Sequence, residues 1–428
     1  MLANKRTKSY VCIDLKSFYA SVECVDRGLE PFTENLVVAD PARGSGTICL
    51  AITPAMKALG VKNRCRIFQI PNGIEYTMAT PRMARYMEVS AQINALYLRY
   101  VSAEDIHVYS IDECFIDATP YLKLYRMSAK AFAEMLRNKV TEETGITATA
   151  GIGPNLFLAK VALDIEAKKA ADGIGILDEE SYKREIWFHR PITDIWQVGP
   201  GIAHRLAKHG IHDMAGVCAA NPAWLKKEFG KNGEYLLDHA WGQEPCTLKQ
   251  IKEDRPAAHS ISNGQVLMRD YSFSEARTVL REMADASCLD LCSKGLSCGN
   301  VSVHVGYAQP YLTESGRWGM GSGGSTKLSE RTDSSHRIVK VALELFDKHT
   351  LNSEPIRRLT VALGALQPAK YDQPSLFSSE DSGKEADLAK ASIAVRDRFG
   401  KNALLRGTSL KQGATMRERN NQIGGHRA

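Results

Sequence analysis

The residues best suited to chemistry are three acidic side chains in two short segments. The run YSIDECFID sets Asp112 and Glu113 side by side between apolar stretches. On one continuous strand they would face opposite sides, because side chains alternate with period two. If HVYSI and CFIDA instead pair as a hairpin, both carboxylates lie at its tip and face one site. Adjacent carboxylates repel unless a cation or solvent screens them, so a metal site and a solvated acidic turn are both open from this segment alone. Asp14 ends the apolar run YVCID, where a carboxylate gains nothing from burial unless it is paired. Three carboxylates at strand ends could hold two divalent cations at the ~3.5–4 Å separation used for in-line phosphoryl transfer. Mg²⁺ suits such a set, being a hard cation that shares oxygen ligands with substrate phosphates.

These residues need a scaffold, and the sequence outlines one. Tyr10 to Leu15 reads as a short strand followed by the helical SFYASVECVDRGLE, which Gly28 and Pro31 end. Asn35 to Asp40, two short runs within His107 to Ala118, and Thr147 to Ile152 are further strand candidates. The mixture predicts an α+β layer with helices on its surface. Around Ile192 the texture becomes helical, with ITDIWQVGPGIAHRLAKHG reading as helix, Gly-Pro-Gly turn, helix. GQEPCTLKQIKEDRP follows as a polar linker. Ser274 to Ser293 and Ser334 to Lys348 are helix candidates, and Asn300 to Tyr307 and Arg358 to Leu366 are strands, together a second α+β domain. YDQPSLFSSEDSGKE reads as a disordered connector. A short amphipathic helix at Ala386 to Phe399 and a basic end complete the chain.

Composition narrows the classes. The 428 residues are 24% charged and 44% hydrophobic, enough for about two to four domains and too apolar for a disordered chain. No apolar run approaches the ~18 residues of a membrane span, and the first residues lack a signal-peptide core, so a cytoplasmic location is expected. The ten cysteines include no C-x-x-C pair and are expected as thiols. Of the formal charge of +6, residues 401–428 carry a net +5. Charge alone therefore does not mark the body of the protein as a DNA binder.

Several motifs in order carry a specific resemblance. DLKSFYASVE at 14–23, SIDE at 110–113, GIGPNLFLAKVALDIEAKK at 151–169, the VGPGI turn and HSISNG from 259 resemble Y-family translesion DNA polymerases, over about residues 10–370 and closest to the UmuC/DinB branch, with UmuC the nearer side. The resemblance implies an α+β multidomain right hand. Its palm would be 1–31 and 81–178, its fingers 32–80, and its helix-hairpin-helix thumb 179–242. A linker would span 243–256, the little finger 257–367 and the tail 368–428.

It also implies roles. Asp14, Asp112 and Glu113 map onto the family's metal ligands, with the Leu15 carbonyl as a further one, for two Mg²⁺ ions. Phe18 and Tyr19 fall beside the sugar, and Tyr19 is the expected steric gate against a 2′-hydroxyl. Lys57 and Lys168 are candidates for the triphosphate, though Lys169 could equally be the second lysine. The sequence departs from the family where Pro54-Ala55-Met56-Lys57 stands in place of Tyr-x-x-Arg, and where Lys16 replaces a second aspartate.

Gly199-Pro200-Gly201 resembles the helix-hairpin-helix turn, in which Gly199 and Gly201 let a DNA phosphate approach and Arg205 and Lys208 could assist. Gln373, Leu376 and Phe377 resemble the Q-x-x-L-F peptide that binds a sliding clamp. The implied function is error-prone translesion synthesis on primer–template DNA in an SOS-type damage response, using deoxynucleoside triphosphates. The UmuC branch adds a UmuD-like accessory subunit and a recombinase filament. A two-metal nuclease and a non-catalytic DNA-binding scaffold are the alternatives.

Overall fold

The computed structural model describes residues 8–254, 259–312, 316–372 and 381–428. The chain divides into two compact units, residues 1–255 and 256–428.

In the first unit β1 (Tyr10–Leu15) leads into α1 (Phe18–Val25). A small sheet follows, ordered β3-β2-β4, from β2 (Leu36–Val38), β3 (Ala51–Ile52) and β4 (Thr77–Ala79), with α2 (Pro54–Ala58) after β3. Then come α3 (Met83–Tyr97), β5 (Ile106–Val108), β6 (Glu113–Asp117), α4 (Thr119–Tyr125), α5 (Ala129–Thr144) and β7 (Ala148–Gly153). A helix with a widened π turn at Ala162–Glu166 joins α6 (Leu156–Val161) to α7 (Ala167–Lys169) before β8 (Ile174–Ile176). The main sheet is ordered β5-β6-β1-β7-β8.

Both faces of that sheet are covered. Val11, Ile13, Leu15, Cys114 and Ile116 pack against Ile93 and Tyr97 of α3 and Phe132 and Leu136 of α5. Tyr10, Cys12 and Phe115 pack on the opposite face against Leu156, Ala159 and Leu163. Two covered faces explain why β1 and β7 read as nearly unbroken apolar runs. The helix over the second face lies very close, because a Cβ on Gly151 would stand 2.1 Å from the Ala159 carbonyl oxygen. Only glycine fits that spacing.

Beyond β8 the first unit is helical: α8 (Glu179–Glu185), α9 (Pro200–Ala207), α10 (Met214–Ala219), α11 (Pro222–Phe229), α12 (Lys231–Ala240) and α13 (Leu248–Glu253). Two expectations are corrected here. The arm before Gly199 is not an α-helix but one 3₁₀ turn, Ile192–Asp194. Ile192, Ile195 and Val198 are all buried, and a spacing of three suits a tighter or extended path better than a 3.6-residue repeat. The supposed linker contains α13, capped by a reciprocal Thr247–Gln250 pair. Its Leu248 is buried in the cluster with Tyr10 and Phe115.

The second unit has β9 (Ser260–Tyr271), α14 (Phe273–Ser293), β10 (Leu296–Leu312), β11 (Trp318–Thr332), α15 (Ser335–His349) and β12 (Ile356–Gly364). Its antiparallel sheet is ordered β11-β10-β12-β9. Val301, Val303, Val305, Leu359, Val361 and Leu363 meet α14 and α15, while His304, in register with Thr360 and Gly323, points to the other side and is exposed. Neither β9 nor β11 is evident from sequence. β11 carries Gly and Ser at its centre and buries little, so it lacks the apolar alternation that marks a strand.

The basic end is a folded part of this unit. Helix α16 (Asp381–Phe399) is longer than expected, leaving Leu388 and Phe399 exposed while Ala386, Ala389 and Ile393 are half-buried at helical spacing. Glu385 accepts from Ser334 Oγ at 2.7 Å and the His336 N–H at 2.8 Å, at the start of α15. Further on, the buried Glu282 carboxylate of α14 accepts the N–H groups of Thr415 and Met416 at 2.8 and 3.2 Å. Arg419 donates to Asn263 at 2.6 Å. Among the described residues no helix is long and apolar enough to cross a membrane.

Candidate active site

The strand register brings the acidic residues together. β1 and β6 are antiparallel with Asp14 directly opposite Glu113, on the face that also carries Cys12 and Phe115. Asp112 occupies the turn between β5 and β6, which closes when the Tyr109 and Ser110 N–H groups donate to the Glu113 carbonyl at 2.9 and 3.0 Å. The Asp112 carbonyl accepts the Leu15 N–H at 2.9 Å, locking the turn to the end of β1. Ser110 Oγ donates to Asp112 Oδ1 at 2.6 Å. Asp112 and Glu113 thus lie at a hairpin tip, the arrangement in which adjacent residues share one site.

The cluster is electrostatically crowded. Burial pushes the Asp14 carboxyl up to about 7, with the Asp112 and Glu113 charges adding to the effect and Lys160 opposing it. Lys160 on α6 is buried and pairs with Glu113 at 2.8 Å and with Asp164 at 2.9 Å. Cys12 Sγ also donates to Glu113, at 3.1 Å. Lys160 is not evident from sequence, because an isolated lysine in the apolar LFLAKVAL gives no periodic signal. The close packing permitted by Gly151 is what places its helix over the strands. As arranged here, no three His, Cys, Asp or Glu side chains among the described residues gather into a closed metal-ligand set.

The donor chemistry nevertheless fits a divalent cation. A carboxyl raised chiefly by burial, and further by two neighbouring carboxylates, is stabilised in its charged form by added positive charge. The three carboxylates are oxygen donors, as hard cations prefer.

Around the carboxylates, Phe18 is buried at the start of α1 and Tyr19 is half-buried. The Tyr19 ring stacks on Tyr86 of α3 at 4.5 Å with planes 17° apart. Tyr86 donates in turn to the buried Glu23 at 2.7 Å. Burial raises the Tyr19 phenol, with the Asp112 charge raising it further and Arg64 lowering it. The ring therefore lies within electrostatic reach of the acidic turn. Tyr86 and Arg64 are also unforeseen from sequence, since both depend on segments distant in the chain.

Of the lysines, Lys57 on α2 is lowered by burial, raised by Asp14, and lowered again by Lys168 and Lys16. Those neighbours put Lys57 and Lys168 in one charged environment with Asp14. Lys169 is instead tied to Glu166 at 2.8 Å, which favours Lys168 for an anionic ligand. Lys16 sits 5.8 Å from the Phe32 ring centroid and is lowered by burial.

The glycines at the start of α9 are not required by the protein's own packing. A Cβ at Gly199 or Gly201 would meet nothing within 4 Å, and neither has positive φ. Arg205 does not stand free for phosphate. Its guanidinium lies 4.2 Å from the Phe229 ring centroid and donates to the Glu228 carbonyl at 3.0 Å. Lys208 is exposed at the end of α9. Gln373, Leu376 and Phe377 lie outside the described residues. All ten cysteines are free thiols, with Cys49 and Cys65 the close pair at 3.8 Å between sulfurs.

The chain is thus a multidomain α+β protein with carboxylates at adjoining strand ends and an aromatic beside them. The chain belongs to the Y family of translesion DNA polymerases. The impB/mucB/samB family matches residues 13–164, and its C-terminal domain matches 258–376. DNA polymerase IV 2 of Bacillus subtilis is 33% identical over 98% of this chain and 99% of its own length. The UvrX protein of Bacillus subtilis, which its name assigns to UV-damage repair, is 30% identical over 98% of both chains. Among solved structures, a Y-family DNA polymerase chimera of Dbh and Dpo4 superposes with a TM-score of 0.60, at 21% identity, over 83% of this chain and 98% of its own.

Proposed function

We propose that this DNA polymerase copies damaged templates, with low fidelity, by two-metal nucleotidyl transfer centred on Asp14, Asp112 and Glu113. The observation that carries this reading is the β1–β6 register, which sets Asp14 opposite Glu113 with Asp112 in the adjoining turn. Asp14, Asp112, Glu113 and the Leu15 carbonyl would hold Mg²⁺. Bound there, the cations supply activation of a primer 3′-hydroxyl and neutralisation of the triphosphate. The other steps belong to the chain. Tyr19, braced by Tyr86, closes the space a ribose 2′-hydroxyl would need. Lys57 and Lys168 offset triphosphate charge, Lys57 as a point charge without a guanidinium's fork. Lys160 orients the Glu113 carboxylate.

On this reading 1–31 with 81–178 is the palm, 32–80 the fingers, 179–242 the thumb and 257–367 the little finger. Gly199 and Gly201, which internal packing does not demand, leave room for a DNA phosphate beside the Gly201 N–H at the start of α9. The 373–377 peptide recruits a sliding clamp. Clamp affinity unchanged by joint Leu376→Ala and Phe377→Ala would remove that partner.

Primer extension on undamaged and abasic templates, with and without Mg²⁺, tests the whole reading. Extension past the abasic site that depends on Mg²⁺ supports it. Strand degradation without extension points to a nuclease, and binding without turnover to a scaffold. Extension by the isolated chain would also dispense with a UmuD-like subunit and a recombinase filament, which enter only through the UmuC side of the resemblance.

A further inference from the structure

The turn carrying Asp112 and Glu113 rests on a small cavity whose lining is mostly apolar, from Ile13, Leu15, Ile93 and Ile111, with polar side chains of α3 set among them. Ser90, Asn94 and Tyr97 of α3 line one side and turn residues 111–114 the other. Three polar side chains spaced four and three apart share one face of a helix. That face is otherwise apolar, with Val89, Ile93 and Leu96 in the core. A polar stripe aimed into a core needs partners.

Two of these groups have none among the described residues. Asn94 Oδ1 and the Tyr97 hydroxyl are buried and accept or donate no hydrogen bond among the described residues. Tyr97 is only 2% exposed. The Asn94 amide nitrogen is already used, donating to the Ser90 carbonyl at 2.9 Å. The cavity between them has room for about one water, 10 Å³ measured at the water centre, which matches the minimum a single buried water occupies. Burial pushes the Tyr97 phenol well up, with Cys114 and Asp14 contributing, which places the hydroxyl toward the catalytic strands.

We propose that Asn94 and Tyr97 hold one buried water against the backbone of the acidic turn and, through it, act as positioning residues for Asp112. Ordered water satisfies otherwise unpaired buried groups at little enthalpic cost. A turn propped from behind keeps its carboxylates in place while they exchange cation, triphosphate and pyrophosphate on the open side. Groups behind a ligand set typically change activity by 10- to 100-fold when lost. The effect on turnover rests on the polymerase reading above, whereas the water itself does not.

The test uses the full chain and the isosteric Tyr97→Phe, with Asn94→Leu as a second variant. A high-resolution crystal structure should show a density peak within hydrogen-bond distance of both Asn94 Oδ1 and the Tyr97 hydroxyl, absent in Tyr97→Phe. Tyr97→Phe should lower Tm by about 2–4 °C, since a satisfied hydroxyl is lost. An unsatisfied one would raise Tm on removal. Single-nucleotide incorporation should lose about ten-fold in kcat in either variant, with KM for the nucleotide within two-fold. A dry cavity with a raised Tm overturns the water, and a lowered Tm with unchanged kcat overturns the positioning role. If the parent chain extends no primer, density and Tm still decide the water, and the failure lies with the polymerase reading.

Discussion

The two large sheets of this protein are built alike and used differently. Each is mostly antiparallel and carries two long helices on one face. In the first unit a further helix, from α6 through α7, covers the second face as well. In the second unit that face stays open. A carboxylate on a covered face loses water and must find a partner, so Asp14 is driven toward neutrality and Glu113 is claimed by Lys160. The open sheet offers Ser302, His304 and Thr360 to solvent, where no such pressure arises. Reactivity is concentrated where packing removes solvent from groups that would otherwise stay hydrated.

This contrast can be broken or sharpened by experiment. The largest effect is expected at the acidic turn. Asp112→Ala should cut primer extension by about 10³-fold or more, since several kcal/mol of charge stabilisation are lost, with the unfolding transition retained. Full extension would remove the assignment. Gly151→Ala should destabilise by about 3 kcal/mol, because its methyl meets the backbone of the covering helix. Gly364→Ala in the open sheet, where the nearest atom is Asn300 Oδ1 at 3.5 Å, should stay within about 0.5 kcal/mol. Chemical denaturation of both variants measures the difference, and equal losses would erase the distinction between covered and open faces.

Next in size is the sugar discrimination. Tyr19→Ala should increase ribonucleotide incorporation by about 10- to 100-fold, the range a single lost steric contact supports. Unchanged discrimination would leave the Tyr19–Tyr86 stack a purely structural feature.

The smallest effect concerns acid stability. Burial alone would raise Glu23, but hydrogen bonds from Arg82, Arg27 and Tyr86 outweigh it and hold its carboxyl below the usual range. A depressed carboxylate stabilises the fold above its unfolded pKa, and that contribution fades as pH falls through the folded value. In the second unit Glu275 is depressed to about 2 by Arg269 and the Ser272 N–H. Glu23→Gln should therefore lower Tm at pH 7, and the gap to the parent chain should close below about pH 4. The Glu275→Gln gap should persist to about pH 2. Gaps independent of pH would refute both assignments.

The same contrast explains what could be read from the sequence. Covered strands are apolar throughout, so YVCID and the runs flanking Asp112 stand out, and with them the three carboxylates. The open, glycine-rich β11 has no such pattern and is invisible until its partner strand is known. The sequence of α13 has the texture of a linker because GQEPC and KEDRP surround its one buried leucine. The folded tail carries no such local signal, because polar groups help hold it, among them a single buried glutamate on α14.

The sequence by itself determined the residue types able to bind a metal and a triphosphate, and their order along the chain. Local propensity and motif spacing suffice for that, since both are properties of short segments. Only the tertiary structure decided that Asp14 faces Glu113, that Lys160 reaches it from a helix pressed onto Gly151, and that Tyr86 braces Tyr19. It also set Asn94 and Tyr97 behind the acidic turn. Apart from the local Gly151 contact, each of these depends on register and close packing between residues 15 to 99 positions apart, which no local pattern encodes.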